Sequence, residues 1–341
     1  MTDLPSSPAA SELRRLTDAA LNAVAPDVAV LRHLRLDGNR LTLIDEAGAP
    51  AWSGDLDAYR RIRVLGAGKG AAPMAAALEN LLGDRISDGL VIVKYGHDLP
   101  EGQRTRRIRI KEGGHPVPDE AGAAAAGEIV DMALDSREDD LILCTFTGGA
   151  SALTPALHPE IPLADMQRLT SMLLECGATI HEINTLRKRL SAVKGGKFAQ
   201  LCAPAHVFSI VLSDILGDPL DMIASGPAYP DSSTSAQAMA IVKKYGLQLS
   251  QHAQSLLAQE TPKTLSNVET HITGSVRQLC VSAEETARGL GYAPVVLTDS
   301  LRCTARDAGS FLASIAQYNQ SSEKSLAFIA GGETVVHLTG T

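Results

Sequence analysis

The sequence predicts an α/β protein built on a parallel sheet, and three observations carry that prediction. Apolar strands repeatedly run into glycine: Arg63-Val64-Leu65 into Gly66-Ala67-Gly68-Lys69-Gly70, Leu141–Phe146 into Thr147-Gly148-Gly149-Ala150-Ser151, Val207–Leu212 into Ser213-Asp214-Ile215-Leu216-Gly217-Asp218, and Leu326–Ala330 into Gly331-Gly332-Glu333-Thr334. The run at 141–146 is almost continuously apolar, which marks a strand covered on both faces. Helix-forming stretches separate such strands, and 45% apolar residues with 29 glycines and few aromatics match a soluble α/β enzyme. At 341 residues the chain has room for two domains with sizeable cores.

Taken in order, residues 1–10 are polar and Pro/Ser-rich and are expected to fray. Glu12–Ala25 carries apolar residues at helical spacing and ends at Pro26, because a proline disfavours helix at the residue before it. Leu31–Ile44 alternates apolar and polar residues and predicts a hairpin turning at Asp37-Gly38-Asn39. Arg61–Leu82 is strand, glycine turn and helix, and its Gly66-Ala-Gly-Lys-Gly-Ala71 satisfies the dinucleotide pattern G-x-G-x-x-A. That pattern wants an acidic residue after the next strand, but Gly89–Val93 ends in Lys94-Tyr95. A P-loop does not fit either, since Arg63 stands where its first glycine belongs and no Ser/Thr follows Lys69. A lysine inside such a turn makes an anion-seeking site; the plainer alternative is a solvated side chain on a tight turn.

Gly113-Gly-His115-Pro-Val-Pro-Asp119 is a stiff loop ahead of an Ala-rich helix at 120–134. His115 there either polarises a substrate or is structural. Residues 163–176 predict an amphipathic helix. The stretch from His181 to Lys197 is strongly basic, with Arg187, Lys188 and Arg189, and ends in Lys194-Gly-Gly-Lys197. Asp214 and Asp218 follow a buried strand, where a carboxylate is costly without a metal, a cation or N–H donors. Ser225-Gly226-Pro227 forms a rigid turn, helical polar sequence runs from Ser232, and 261–270 is expected to be a linker. A strand at 295–297 and a helix at 303–317 follow.

In an open α/β sheet, ligands sit beyond the carboxyl ends of strands, where the glycine junctions should lie. Paired glycines there let successive N–H groups point at one spot, which suits a phosphate; a tight turn holding nothing is the alternative. A net charge of −8 argues against nucleic-acid or anionic-membrane partners. Five scattered cysteines predict reduced core residues of a cytoplasmic protein, and no signal-like or membrane-length apolar run is seen.

As an ordered set, Gly-Ala-Gly-Lys69-Gly, Gly-Gly-His115-Pro-Val-Pro-Asp, Thr-Gly-Gly-Ala-Ser-Ala-Leu153, Glu182-Ile-Asn-Thr-Leu-Arg187-Lys-Arg-Leu-Ser, Lys194-Gly-Gly-Lys, Ser213-Asp214-Ile-Leu-Gly-Asp and Ile223-Ala-Ser-Gly-Pro227 resemble the glycerate 2-kinase family over essentially the whole chain. Members are often labelled hydroxypyruvate reductase. The resemblance implies ATP- and Mg²⁺-dependent phosphorylation of D-glycerate to 2-phosphoglycerate. The site would lie in a cleft between a Rossmann-like domain (1–235) and a second, smaller α/β domain (236–341). On that footing Lys69 would contact the transferring phosphoryl oxygens, and Asp214 would hold Mg²⁺ or take the hydroxyl proton. Gly148, Gly149 and Ser151 would cradle phosphate, and Arg187 or Lys194 would pair with the glycerate carboxylate. Gly66, Gly68, Ser225, Gly226 and Glu333 complete the expected binding set.

Two departures stand out. Thr147 replaces the family's usual serine while keeping a hydroxyl. Gly331-Gly-Glu-Thr-Val335 resembles the start of the family's C-terminal module, but a Gly/Arg/Asn-rich segment is expected after it. The expectation is therefore a second domain truncated at its end, without a charge-stabilising arginine and possessed of slow or no turnover. Val335, Val336 and Leu338 would then expose apolar surface and invite a homodimer. Two other readings stay open: an NAD(P)H-dependent hydroxypyruvate reductase, with Lys94 favouring NADPH, and a non-catalytic sugar-acid-binding fragment.

Overall fold

The computed structural model describes residues 8–45 and 48–336. Helices α1 (Pro8–Ala23) and α2 (Pro26–His33) open the chain. Pro26 both limits the first helix and starts the second, since a proline at the first helical position loses no hydrogen bond. The frayed start expected through residue 10 is already helical from Pro8. A three-stranded antiparallel sheet follows, β1 (Leu34–Asp37), β2 (Arg40–Ile44) and β3 (Pro50–Asp55), with the hairpin turning at Gly38-Asn39 as the sequence predicts.

The large sheet starts with β4 (Arg61–Ala67), α3 (Ala71–Leu82), β5 (Ile86–Lys94), β6 (Ile108–Gly113) and α4 (Glu120–Leu134). It continues through β7 (Asp140–Phe146), the short α5 (Ala150–Leu153), α6 (Leu163–Glu175), α7 (Ile180–Leu190), α8 (Lys197–Cys202) and β8 (His206–Leu212). Then come α9 (Ser235–Tyr245), α10 (Gln251–Leu257) and β9 (Val268–Gly274). Its six strands are all parallel in the order β6-β5-β4-β7-β8-β9. Counted within the sheet this is 3-2-1-4-5-6, so the winding reverses between β4 and β7, where a crevice opens beyond the strand ends. β9 pairs with β8, so part of the segment expected as a linker is a strand, and the sheet runs past the expected division at 235/236. The remaining elements are α11 (Val276–Gly289), β10 (Ala293–Thr304), α12 (Ala305–Tyr318) and β11 (Leu326–Val335). β10 and β11 form a separate parallel pair, which α11 ties to the N-terminal helix through Ser282 Oγ to the Ala19 carbonyl (3.1 Å).

Side chains of the central strands alternate between two cores. Val91, Leu141, Leu143 and Phe208 pack with α2, α3 and the small sheet, while Leu90, Ile142, Cys144 and Phe146 pack with α4, α5 and α8. Each such buried side chain stabilises the sheet by roughly 1.5–3 kcal/mol, which fixes its register and hence the loops at its ends. A third core joins α6, α7, α9 and α10 into a helical group beside those loops. Cys144, Cys202 and Cys280 are buried as expected, but Cys176 is exposed just past α6. Val335 and Val336 are 56% and 71% exposed; Leu338 lies outside the described residues. Among the described residues no helix is long and apolar enough to cross a membrane.

Candidate functional site

Adjacent strands β4, β7 and β8 deliver three loops to one place. After β4, Gly68 (φ +135°) lies against Thr147, whose Oγ1 would meet an added Cβ at 2.0 Å. The loop N–H groups are fully engaged: Gly68 N donates to Ile92 O, Lys69 N to Gly148 O and Gly70 N to Thr147 Oγ1 (2.9, 2.9 and 3.0 Å). The expected cradle of converging N–H groups is therefore not built from this loop. It contributes the exposed side chain of Lys69 instead. Gly66 is not in the turn at all but inside β4, where any Cβ would strike Thr145.

The loop after β7 is different. The N–H groups of Gly148 and Gly149 have no hydrogen-bond partner among the described residues. Asp214, from the loop after β8, lays its carboxylate on Gly148: a Cβ there would sit 2.0 Å from Oδ2. Gly149 (φ +88°) carries the end of Lys69 and the His115 ring, 3.5 and 3.1 Å from where its Cβ would stand. Lys69, Gly148, Gly149 and Asp214 thus share one locus at the winding reversal. Burial in the recess raises the Asp214 carboxyl pKa, the Lys69 charge opposes that, and Glu333 raises it further, so Glu333 of β11 lies within electrostatic reach. The Gly331-Gly332 pair before it is not a strand-to-turn junction, because β11 runs straight through it.

Next to this locus is a cavity of about 340 Å³ reached by His115, Gly149, Ser151, Arg187 and Lys194. No carboxylate lines it. The Lys194 side chain is buried, and its Nζ donates to the Thr154 carbonyl (2.7 Å). Burial, with Arg187 and Lys197 adding repulsion, brings its pKa down from 10.5 to about 7. Arg187 donates to Thr170 Oγ1 (3.2 Å) and is lowered by burial. Neither makes an ion pair among the described residues. A buried lysine and a half-buried arginine thus face a cavity with no carboxylate in its lining, and no counter-ion among the described residues offsets their desolvation.

The basic run divides by helical geometry. Thr179 and Glu182 cap the start of α7, and Arg187, Lys188 and Arg189 then point three ways from its last turn. Lys188 turns inward to Asp231 (2.9 Å) and Asp221 (3.2 Å), and Arg189 to Ser233 and Glu260. Lys197 caps the helix, donating to the carbonyls of Lys188, Arg189 and Ser191. Only Arg187 of the three reaches the cavity. A larger hollow of about 510 Å³ lies between α7 and α9, but its Lys188 is paired with Asp221 and its Lys244 with Glu182. Size favours that hollow; unpaired charge favours the smaller one, and charge decides the chemistry.

Ser225 and Gly226 stand behind the cavity wall. Ser225 is 1% exposed with φ +62°, and its hydroxyl meets Ser151 Oγ (2.9 Å) and Asn184 Oδ1 (3.3 Å). Its carbonyl and that of Gly226 accept from Gly195 N and Gly196 N, which fixes the turn carrying Lys194. Sequence reading missed Thr147 as the bridge between loops and Asn184 as the support of Ser225; a hydroxyl before two glycines was the one available signal.

Residues 12–258 match the family described as "Domain of unknown function (DUF4147)". The D-glycerate 2-kinase of Thermotoga maritima is 45% identical over 284 residues, 82% of this chain and 67% of that protein. The glycerate 2-kinase of Pyrococcus horikoshii is 32% identical over 340 residues, 96% of this chain and 74% of that one. The chain belongs to the glycerate 2-kinase family. A crystal structure of a Thermotoga maritima glycerate kinase superposes with a TM-score of 0.84 at 40% identity, covering 97% of this chain and 75% of that one. Some family members carry a provisional hydroxypyruvate reductase name, as in Agrobacterium vitis at 40% identity.

Proposed function

We propose that this chain is a kinase that transfers the γ-phosphoryl group of ATP to the 2-hydroxyl of D-glycerate. The observation that carries this is a pair of cations without ion-pair partners among the described residues, buried Lys194 and half-buried Arg187, in a cavity sharing Gly149 with the Lys69 locus. One end of a small carboxylate is thereby held close to where charge would develop on a phosphoryl group. Phosphoryl transfer asks the protein mainly for positioning and charge neutralisation, and those are what these residues offer. Lys69 faces the transferring oxygens, with the free N–H groups of Gly148 and Gly149 beside it. Ser151, oriented by Ser225, faces the substrate from the cavity wall.

The acidic side of the locus fits Mg²⁺, since Glu333 raises the Asp214 carboxyl pKa and a cation would relieve that repulsion. Magnesium is commonly held by one or two carboxylates together with substrate phosphates. Asp214 and Glu333 would hold it, and it would supply neutralisation of nucleotide phosphate charge. The two-unit organisation is part of the same reading, with the division drawn after β9 because β9 completes the large sheet. A reductase is disfavoured because the glycine loop after β4, where a dinucleotide pyrophosphate would sit, has the N–H groups of Gly68, Lys69 and Gly70 already engaged within the protein. Incubation with D-glycerate and MgATP, against hydroxypyruvate with NADH or NADPH, tests the proposal. Formation of 2-phosphoglycerate and ADP is expected; reduction of hydroxypyruvate without phosphorylation would refute it.

A further inference from the structure

His115 lines the cavity with an imidazole that can take up a proton, and no carboxylate lines the cavity beside it. Its loop is fixed from three sides. Asp119 caps α4 by accepting from Gly122 N (2.8 Å) and also takes the Tyr95 hydroxyl (2.7 Å). Gln167 of α6 donates to the Pro118 carbonyl (2.9 Å). The loop thereby lays the ring edge on Gly149, with Nε2 3.1 Å from the position of a Cβ that glycine lacks. Lys69 approaches the same point, and Arg187 and Lys194 line the same cavity. His115 therefore stands between the carboxylate end and the phosphoryl end of the site. A 2-hydroxy acid spanning them would bring its hydroxyl to this ring.

We propose that His115 is a catalytic residue that accepts the proton of the acceptor hydroxyl, an inference resting on the kinase reading. As the hydroxyl oxygen bonds to the γ-phosphorus, the bond from that phosphorus to the bridging oxygen breaks and ADP leaves. The hydroxyl proton passes to the imidazole and then to solvent. Asp214, lying over Gly148, is left to the acidic side of the locus. The surroundings keep the ring neutral: burial lowers its pKa, as do Lys69 after β4 and Lys94 and His97 at and beyond the end of β5. Arg187 and Lys194 line the same cavity from α7 and the turn after it, while Asp119 on its own loop is occupied by Tyr95 and backbone N–H groups.

The test compares wild type with H115Q and H115N, their folding checked by circular dichroism and melting, in D-glycerate phosphorylation from pH 5 to 9. The expected result is a fall in kcat of roughly a hundredfold or more, the usual scale of general-base loss, with KM for glycerate nearly unchanged. The acid limb of kcat/KM should disappear in both variants. An active wild type with equal kcat in a folded H115Q or H115N, or an acid limb that survives, overturns this proposal alone. A wild type inactive on glycerate overturns it together with the kinase reading.

Discussion

Replacing Lys194 by methionine keeps the length of a buried side chain and removes its charge. In the folded protein that ammonium is held at a pKa of about 7 against an ordinary 10.5, chiefly by burial. At 1.36 kcal/mol per unit this makes its charged form about 5 kcal/mol less favourable than in water. An entering carboxylate recovers part of that, so glycerate should bind the protonated enzyme and draw in a proton. In the wild type, affinity should then fall roughly tenfold per pH unit above about 7. A hydrogen bond to a charged group contributes about 1.5–3 kcal/mol, so Lys194→Met should weaken glycerate roughly ten- to a hundredfold at pH 6.5. The variant's binding should also be flat in pH. Stability runs the other way. Between about 7 and 10.5 the unfolded chain binds more protons than the folded one, so wild-type stability rises with pH across that window. The Met variant should lose this contribution and keep only the smaller rise from Lys197, whose pKa is lowered to about 8. Calorimetric titration with D-glycerate in buffers of different ionisation enthalpy, alongside denaturant unfolding at pH 6.5 and 9, measures both. Wild-type affinity indifferent to pH between 7 and 9, or a variant binding glycerate as tightly as wild type, would refute the reasoning.

Lys69→Ala should lower kcat by roughly a hundredfold or more, the cost of removing one preorganised charge donor, with an unchanged melting temperature since the side chain is exposed. Asp214→Asn should abolish most turnover without loss of stability in denaturant, and raising Mg²⁺ should restore part of the activity; full activity in the variant would remove Asp214 from the site. Asp231 should matter only to stability. Burial would raise its pKa, but the Thr261 hydrogen bond and the Lys188 charge outweigh burial and lower it. Asp231→Ala leaves Lys188 buried without its nearest partner and should cost about 3–5 kcal/mol in denaturant unfolding. The lowered pKa means that Asp231's contribution is present above the ordinary Asp range and is lost as pH falls below about 4, which acid unfolding of wild type against variant would show.

The sequence by itself determined the elements whose signals are local. The two-sided apolar run of β7, the Ala-rich α4 and the strand–glycine–helix unit of β4 and α3 are legible because period and turn chemistry are written within a dozen residues. The resemblance in ordered motifs likewise singled out Lys69, Asp214, Gly148 and Gly149, which the structure places at one locus. Where pairing over distance decides, the sequence was silent. β9 reads as a polar linker, since an edge strand with only partly buried side chains has a weak apolar signal. Gly331-Gly332 reads as a turn because two glycines punctuate sequence, whereas pairing with β10 holds them extended. The basic run looks uniform along the chain, and only tertiary packing separates it. Lys188 and Arg189 find carboxylates arriving from residues 221, 231 and 260. Arg187 and Lys194 meet none, and that missing counter-charge, a property of the assembled space rather than of any local stretch, is what marks the cavity as the proposed anion site.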